Sequence, residues 1–514
     1  FCCNIMWYLS SSLATFWLLL AQLMFYIRFL RARLTRTELP EDGKQPIPPV
    51  LPSNLPSGMD AKRLEPPVLR SSLPADLDGL KAPVMLEAPT ARAESATSAV
   101  LAVPFRDGMG FIQVVEHTQA SFAAAVELRL GRGATLAKTL YRAYFASAGN
   151  LEHAANHPAL LAAAGLGGAL VGLCNPGSPL QLTGSNVGPP AAGQTEKYVL
   201  SCMGGEEVEM VAMPAPGMEG AWSLCISSQV GCRMGCTFCE TGRMGLLRSL
   251  SVGEIVGQVE CAAHKLRLRV ANIVFMGMGE PLDNVDAVIR AICIMTEPNG
   301  LNVPLSHITV STSGEAQHVY TLLDALPSVR VAFSLHAANE ELRSQLMPIN
   351  RRVPLAELAA AMRHYLGVTR RRVTIQYVLL AGVNDTPTHA QELAIFLLSV
   401  GPIERLHVNL IPYNAQSGQP HYETPSQLAC KQFKETLKES NLFVKIRETK
   451  GAEKMAACGQ LGNVHLRRTL MTRRREAEYE NSNADREKLS SIDKFRMIDV
   501  HAAPSHCARK ELAW

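Results

Sequence analysis

Residues 222–239 read Trp222-Ser-Leu-Cys-Ile-Ser-Ser-Gln-Val-Gly-Cys-Arg-Met-Gly-Cys-Thr-Phe-Cys239, an apolar strand-like run that passes into three closely spaced cysteines. Cys232, Cys236 and Cys239 have the spacing C-x3-C-x2-C. That spacing gathers three soft thiolates around one iron–sulfur cubane and supplies no fourth. A [4Fe–4S] cluster normally takes four cysteines, so three leave one iron open to a small molecule. Structural zinc is the plainer alternative, but zinc sites pair C-x2-C with a second pair or with His, and no second pair follows. An iron able to bind and reduce a sulfonium is what radical chemistry from S-adenosylmethionine (SAM) requires.

Outward from this stretch the texture is a strand–helix alternation. Apolar, β-branched runs recur at 222–227, 272–276, 307–311, 330–335, 372–379, 406–411 and 443–447, with helical stretches between them. Ser251-Val-Gly-Glu254 has capping-box spacing, and Thr424-Pro-Ser-Gln427 predicts a helix with proline in its first turn. Successive βα units imply a parallel sheet with right-handed connections. The predicted fold class is α/β: a partial (β/α)6 TIM-like barrel over 221–465, with its site at the carboxyl ends of the strands. A smaller N-terminal α+β accessory domain is expected over 105–220. It would hold a helix at 134–148 after Gly131 and Gly133, and a hairpin of 197–201 with 207–213 turning near Gly204-Gly205.

The flanks read differently. Residues 1–27 carry no charged side chain and are followed by Arg28, Arg31, Arg33 and Arg36, so residues 1–36 are expected to be a targeting segment, a membrane anchor or an artefact of the gene boundary. Residues 37–104, rich in Pro, Ala and Ser, read as a disordered linker, and 466–514 as a charged tail. The catalytic part is expected in the cytoplasm, a plastid or a mitochondrion, membrane-associated only through residues 1–36. A net charge of +4 on 514 residues does not by itself point to nucleic acid, and thirteen cysteines in a chain this long suit a reducing compartment.

Other candidates sit at predicted strand ends. Gly277-Met-Gly-Glu-Pro281 offers glycines for close backbone approach and a carboxylate, Glu280, for an ammonium. Ser311-Thr-Ser-Gly314, Ser334-Leu-His336 and Pro412-Tyr-Asn414 offer hydroxyl, imidazole and amide groups for a ribose or carboxylate, though such groups also cap turns. Cys225 on the strand into the cluster loop and Cys458 in Ala456-Ala-Cys-Gly-Gln460 are either catalytic thiols or inert small hydrophobes. Basic clusters such as Arg243 and Arg248, Lys265 to Arg269, Arg351-Arg352, Arg370 to Arg372, and Lys445 with Arg447 suit phosphate contacts or a solvated surface equally.

Taken together, Ser227 to Cys239, Met276 to Pro281, Ser311 to Gly314, Ser334 to Ala337, Pro348-Ile-Asn350 and Ala457 to Leu461 resemble the RlmN/Cfr radical SAM RNA methyltransferases, in order, from about residue 207 to 461. The likeness is nearer the RlmN branch, which methylates adenine C2 in large-subunit rRNA and, in some members, tRNA; the Cfr branch targets C8. The resemblance implies that Cys232, Cys236 and Cys239 ligate the cluster. It implies that Gly279, Glu280, Ser311, Ser334, Leu335, His336 and Asn414 hold SAM, two molecules being used per turnover. Cys458 would be methylated by one SAM, and a radical from the second would take hydrogen from that methyl group before it adds to C2. Cys225 would then release the product and leave a Cys225–Cys458 disulfide. Glu209, in the hairpin, matches the family's proton acceptor, although the connection 215–221 after it is longer than the family's. A flavodoxin or ferredoxin as electron donor and a monomeric state are also implied. The rival readings are a Cfr-like C8 enzyme, another radical SAM RNA-modifying enzyme, and a non-catalytic metal-bound RNA-binding module. A mere binding module has no need of Cys225, Cys458 and the SAM motifs together.

Overall fold

A computed structural model describes residues 110–462, except 176–177, 185–187, 192, 416–421, 448–450 and 452–453. The expectations for 1–36, 37–104 and 466–514 lie outside the described residues. Among the described residues no helix is long and apolar enough to cross a membrane.

Five helices come first: α1 (Gln119–Leu130), α2 (Ala134–Ala146), α3 (Leu151–Ala155), α4 (Pro158–Ala162) and α5 (Ala164–Leu173). Gly131 ends α1 in the left-handed conformation at φ 68°. Strands β1 (Leu180–Thr183), β2 (Glu196–Cys202) and β3 (Glu207–Pro214) follow, and β2 and β3 form the expected hairpin with Val199 opposite Glu209. Next come β4 (Ala221–Cys225), the short pair β5 (Gln229–Val230) and β6 (Arg248–Ser249) around α6 (Glu240–Met244), and α7 (Val252–Glu260). The rest alternates: β7 (Arg269–Phe275), α8 (Val285–Met295), β8 (Ile308–Thr312), α9 (Ala316–Ala325), β9 (Arg330–Ser334), α10 (Glu340–Leu346), α11 (Leu355–Val368), β10 (Val373–Leu379), α12 (Pro387–Val400), β11 (Leu406–Pro412), α13 (Gln427–Glu439) and β12 (Phe443–Ile446).

Ten strands make one sheet in the order β1-β2-β3-β4-β7-β8-β9-β10-β11-β12. The first four run antiparallel, and from β4 onward every pairing is parallel. The parallel part is the partial barrel that the alternation predicts. It is left open, because β12 pairs with β11 and β4 with β3 and β7. The accessory hairpin is thus an extension of the barrel sheet.

Register gives the sheet two chemically distinct faces. Phe333, Ile375, Val408 and Val444 stand side by side on β9 to β12, all buried. Each such side chain contributes about 1.5–3 kcal/mol by leaving water. One residue along, the same register aligns Ser334, Gln376, Asn409 and Lys445 on the opposite face. Because side chains alternate along a strand, one pattern serves both the helix layer and a polar interior.

Helix starts follow local chemistry. Ser251 and Glu254 form the complete capping box of α7. For α13 the expectation needs correction: the helix begins at Gln427, with Ser426 as cap accepting from the Ala429 N–H at 3.1 Å. Pro425 therefore precedes the cap instead of occupying the first turn. A serine hydroxyl can satisfy a free first-turn N–H, and this fixes the start one step later.

The cluster loop is clasped at its neck. The Leu247 N–H donates to the Val230 carbonyl at 2.9 Å and the Cys232 N–H to Gly245 at 3.1 Å. Gly231 makes this possible, since its φ is 76° and a Cβ there would overlap the Gly245 carbonyl. Gly231→Ala is expected to lower stability by about 3 kcal/mol through strain and overpacking, measured by urea unfolding. Unchanged stability would show that the neck is not closed.

Candidate active site

The three thiols of the loop face one another. Burial pushes all three up, and for Cys236 the thiols of Cys239 and Cys232 push further. Backbone N–H groups oppose this, from Met234 toward Cys232 and from Gly242 and Thr241 toward Cys239. Three soft sulfur donors within electrostatic reach of one another are the donor set that an iron–sulfur cluster takes. Its positive irons would supply the charge that buried thiolates need. Phe238, between the last two thiols, packs edge-on against His336 with ring centres 4.9 Å apart.

Strand ends surround this loop. Glu280 is buried, and its Oε2 accepts from the Ser313 N–H at 2.8 Å and hydroxyl at 2.7 Å, while Oε1 accepts from the Leu282 N–H at 3.1 Å. Gly279, at φ 102°, has no room for a Cβ because Gln229 and Ser228 lie against it. In this structure the glycine lets Met276–Glu280 approach the strand that leads to the cysteines. The Ser311 and Ser334 hydroxyls lie 3.5 Å apart. Leu335 is buried, its N–H on the Gln376 carbonyl at 3.0 Å. His336 sits at φ 59° and accepts the Val378 N–H on Nδ1 at 3.0 Å, so its proton is on Nε2. Burial, then Arg343, lowers its pKa to about 3, which keeps the ring neutral. Ser228 Oγ, Asn409 Oδ1 and Tyr413 Oη are buried without a hydrogen-bond partner. Such unpaired buried polar atoms are open to a hydrogen bond from a polar guest.

Arg343 is the residue that sequence reading missed. It lies on α10, where Glu340-Glu-Leu-Arg343 reads as a solvated charged face, yet the guanidinium is fully buried. It donates to the carbonyls of Leu335 (3.0 Å), Ser313 (2.7 Å) and Ser334 (3.3 Å) and to Asn350 Oδ1 (2.7 Å). Three of the sequence motifs thus meet at one side chain.

The two further cysteines come to the same place. Cys225 ends β4, buried, its thiol pushed up to about 12 by burial and then by Cys458, with the Met276 N–H opposing. Cys458 is open to solvent yet ringed by protein, and that enclosure followed by Cys239 raises it to about 11. Its segment is tied down by Asn414 Nδ2 to the Cys458 carbonyl (3.2 Å), Glu240 N–H to Gly459 (2.8 Å) and Gly462 N–H to Glu209 Oε2 (2.8 Å). Glu209 also pairs with Lys197 at 2.9 Å, a partner the sequence did not suggest. The longer connection 215–221 forms the β3–β4 turn, at the opposite end of β4 from Cys225, and leaves Glu209 undisturbed. Cys174, Cys202, Cys261 and Cys430 are buried and Cys293 half-buried, as inert cysteines would be. Of the basic residues, Arg248 is spent on Glu206 and Glu254, whereas Lys445 and Arg447 are exposed, and the Arg447 charge reaches the Cys458 thiol.

Residues 226–393 match the Radical SAM superfamily. The chain is 41% identical over 362 residues to "Probable dual-specificity RNA methyltransferase RlmN 1" of Protochlamydia amoebophila, covering 70% of this chain and 96% of that protein. It is 44% identical over 269 residues to the dual-specificity RNA methyltransferase RlmN of Syntrophobacter fumaroxidans, covering 52% and 76%. A crystal structure of a radical SAM methyltransferase from Sphaerobacter thermophilus aligns with a TM-score of 0.61 at 36% identity, over 68% of this chain and 99% of that one.

Glu280 offers a test that needs no bound ligand. Burial outweighs its hydrogen bonds and raises its pKa from 4.5 to about 7. Between those values the folded state keeps a proton that the unfolded state has released, so stability falls as pH rises through the window. Urea unfolding of the ligand-free protein is expected to show a loss from this group of about 3 kcal/mol at most between about pH 5 and about pH 7.5. Glu280→Gln should flatten that difference; an identical slope in the variant would sink the assignment.

Proposed function

The chain belongs to the RlmN family of dual-specificity RNA methyltransferases, and on that footing we propose the roles its residues play in methylating C2 of an adenine in large-subunit rRNA and in tRNA. The observation that carries this reading is the meeting of Cys225 and Cys458 beside the three-thiol loop. Adenine C2 has no lone pair with which to attack a sulfonium, so the methyl group needs a carrier on the protein. Cys458, exposed to solvent, takes the methyl group from SAM by displacement, its thiolate sulfur forming the new bond as the sulfonium C–S bond breaks.

Cys232, Cys236 and Cys239 would hold a [4Fe–4S] cluster, which when bound supplies the electron that cleaves a second SAM into a hydrogen-abstracting radical. Around it, Gly279, Glu280, Ser311, Ser334, Leu335, His336 and Asn414 would hold SAM, with the Glu280 carboxylate as a charge partner for its ammonium. Once hydrogen is taken from the methyl group on Cys458, the resulting carbon radical adds to C2; the adduct gives its C2 proton to Glu209 and its unpaired electron back to the external one-electron carrier. The Cys225 thiolate then attacks the Cys458 sulfur, and the bond from that sulfur to the base-bound carbon breaks as the Cys225–Cys458 disulfide forms, the carbon keeping the bonding pair and taking up a proton to become the new methyl group. Lys445 and Arg447 suit RNA phosphates, and residues 105–220 serve as the RNA-binding accessory region. A flavodoxin or ferredoxin delivers the electron to a monomeric enzyme.

Cys458→Ala is expected to abolish methylation, with no methylated cysteine found by mass spectrometry of the protein; full activity without a methylated Cys458 would refute the carrier. Cys225→Ala is expected to accumulate protein crosslinked to RNA under turnover, seen as a shifted band on denaturing gels. Cells lacking the protein should lose 2-methyladenosine from their RNA, and retention of that nucleoside would place the target elsewhere.

A further inference from the structure

A fully buried cation is normally paired with a carboxylate. Every hydrogen-bond acceptor that Arg343 reaches is neutral: three backbone carbonyls and the Asn350 amide oxygen. Carboxylates are reached only through an intervening residue, as where Asn350 Nδ2 donates to Glu340 Oε2 at 2.6 Å. As a structural filler, a hydrophobic side chain of similar volume would cost less than a buried charge. The guanidinium also lies close to the three-thiol loop. Thr237, one residue past Cys236, donates its N–H to the Leu346 carbonyl at the end of α10 (3.0 Å), and Pro348 packs near Gly235. Arg343 and the Cys236 thiol accordingly act on each other electrostatically. Ser313 links the guanidinium to Glu280, accepting from Arg343 on its carbonyl and donating to the carboxylate through N–H and hydroxyl.

We propose that Arg343 is the positioning residue of this site: it pre-assembles the strand ends that receive SAM, and its charge beside Cys236 eases one-electron reduction of the cluster. The second half rests on the cluster reading above; the first half does not. The added electron makes the cluster more negative, and a fixed cation nearby stabilises that product relative to the oxidised form. The electron itself comes from an external one-electron donor.

The test compares Arg343→Gln, Arg343→Lys and Glu340→Gln in the anaerobically reconstituted full chain, by EPR-monitored potentiometric titration and by SAM affinity in equilibrium dialysis. Arg343→Gln is expected to bind SAM at least tenfold more weakly. Its equilibrium constant for cluster reduction should fall about tenfold, a shift of about 59 mV to lower potential for one electron. Arg343→Lys should restore the potential and leave SAM affinity impaired, since lysine keeps the charge without the fork. Glu340→Gln, at an exposed position, should move the potential upward. A fully loaded Arg343→Gln protein with parental potential and affinity would overturn the proposal, and weaker affinity at parental potential would overturn its electrostatic half. If Arg343→Gln fails to take up iron, an unchanged potential in Glu340→Gln overturns that half instead. Absence of any cluster signal in the parent protein would refute the cluster reading, and SAM affinity alone would then decide the positional half.

Discussion

An open barrel must close its mouth without the hydrogen bonds of a final strand pair, and here hydrogen bonds made by residues 458–462 do that, among them Gln460 Nε2 to the Ala415 carbonyl and the Thr241 hydroxyl to the Leu461 carbonyl. The Cys458 carbonyl is held by Asn414 from the end of β11, the Gly459 carbonyl by Glu240 at the start of α6, and the Gly462 N–H by Glu209 on β3. One end of the segment is thus fixed to the last half of the sheet and the other to the hairpin that extends the first half. Each bond contributes on the order of 1 kcal/mol. Their geometric effect is larger than that energy suggests, because they decide where Cys458 stands relative to Cys225 and the cluster loop. Glu209 carries two duties at that crossing: it anchors the segment and pairs with Lys197, so any proton it accepts loosens both.

Burial explains why the site's ionisable groups are held away from their charged forms. The five thiols are pushed up, His336 is pushed down and Glu280 is pushed up, each chiefly by loss of water. Without a guest, these groups favour neutral forms. On the proposed reading, bound groups of positive charge would reverse the balance at two of these places, irons for the three loop thiols and an ammonium for Glu280. Arg343 is the exception, a permanent charge built into the site, and it sits where the other groups are neutral until loaded.

Much of this was legible in the chain because it rests on local patterns. Alternating apolar runs gave the parallel strands, Ser251 and Glu254 gave the start of α7, and the C-x3-C-x2-C spacing announced the metal-binding loop before any tertiary contact was known. The two distant thiols, Cys225 and Cys458, entered through the family resemblance, since spacing says nothing about residues more than two hundred positions apart. Arg343 and Lys197 stayed hidden for a different reason. A charged residue on a short helix or an exposed-looking strand is almost always solvated, and only the packing of α10 against the ends of β8 and β9 makes Arg343 an exception. The start of α13 slipped by one step because proline and serine signals stood side by side, and hydrogen bonding chose the serine.

Gly279 is a glycine that the packing itself requires. Its missing Cβ makes room for Gln229 and Ser228, the residues that lead into the cysteine loop. The Gln229 side chain in turn accepts the Glu280 N–H at 2.9 Å and donates to Asp283 at 2.8 Å. The turn after β7 is therefore built onto the strand that carries the cysteines before any ligand arrives. Glu280, next in the chain, gains its position from that contact, and Ser313 passes the same constraint on to Arg343 and the end of β9. A side chain at Gly279 would act at a distance, through displacement of the carboxylate, even if it touched no ligand. The order of construction runs from the cysteine strand outward, which is why the loop that announces the chemistry also sets the geometry of the groups around it.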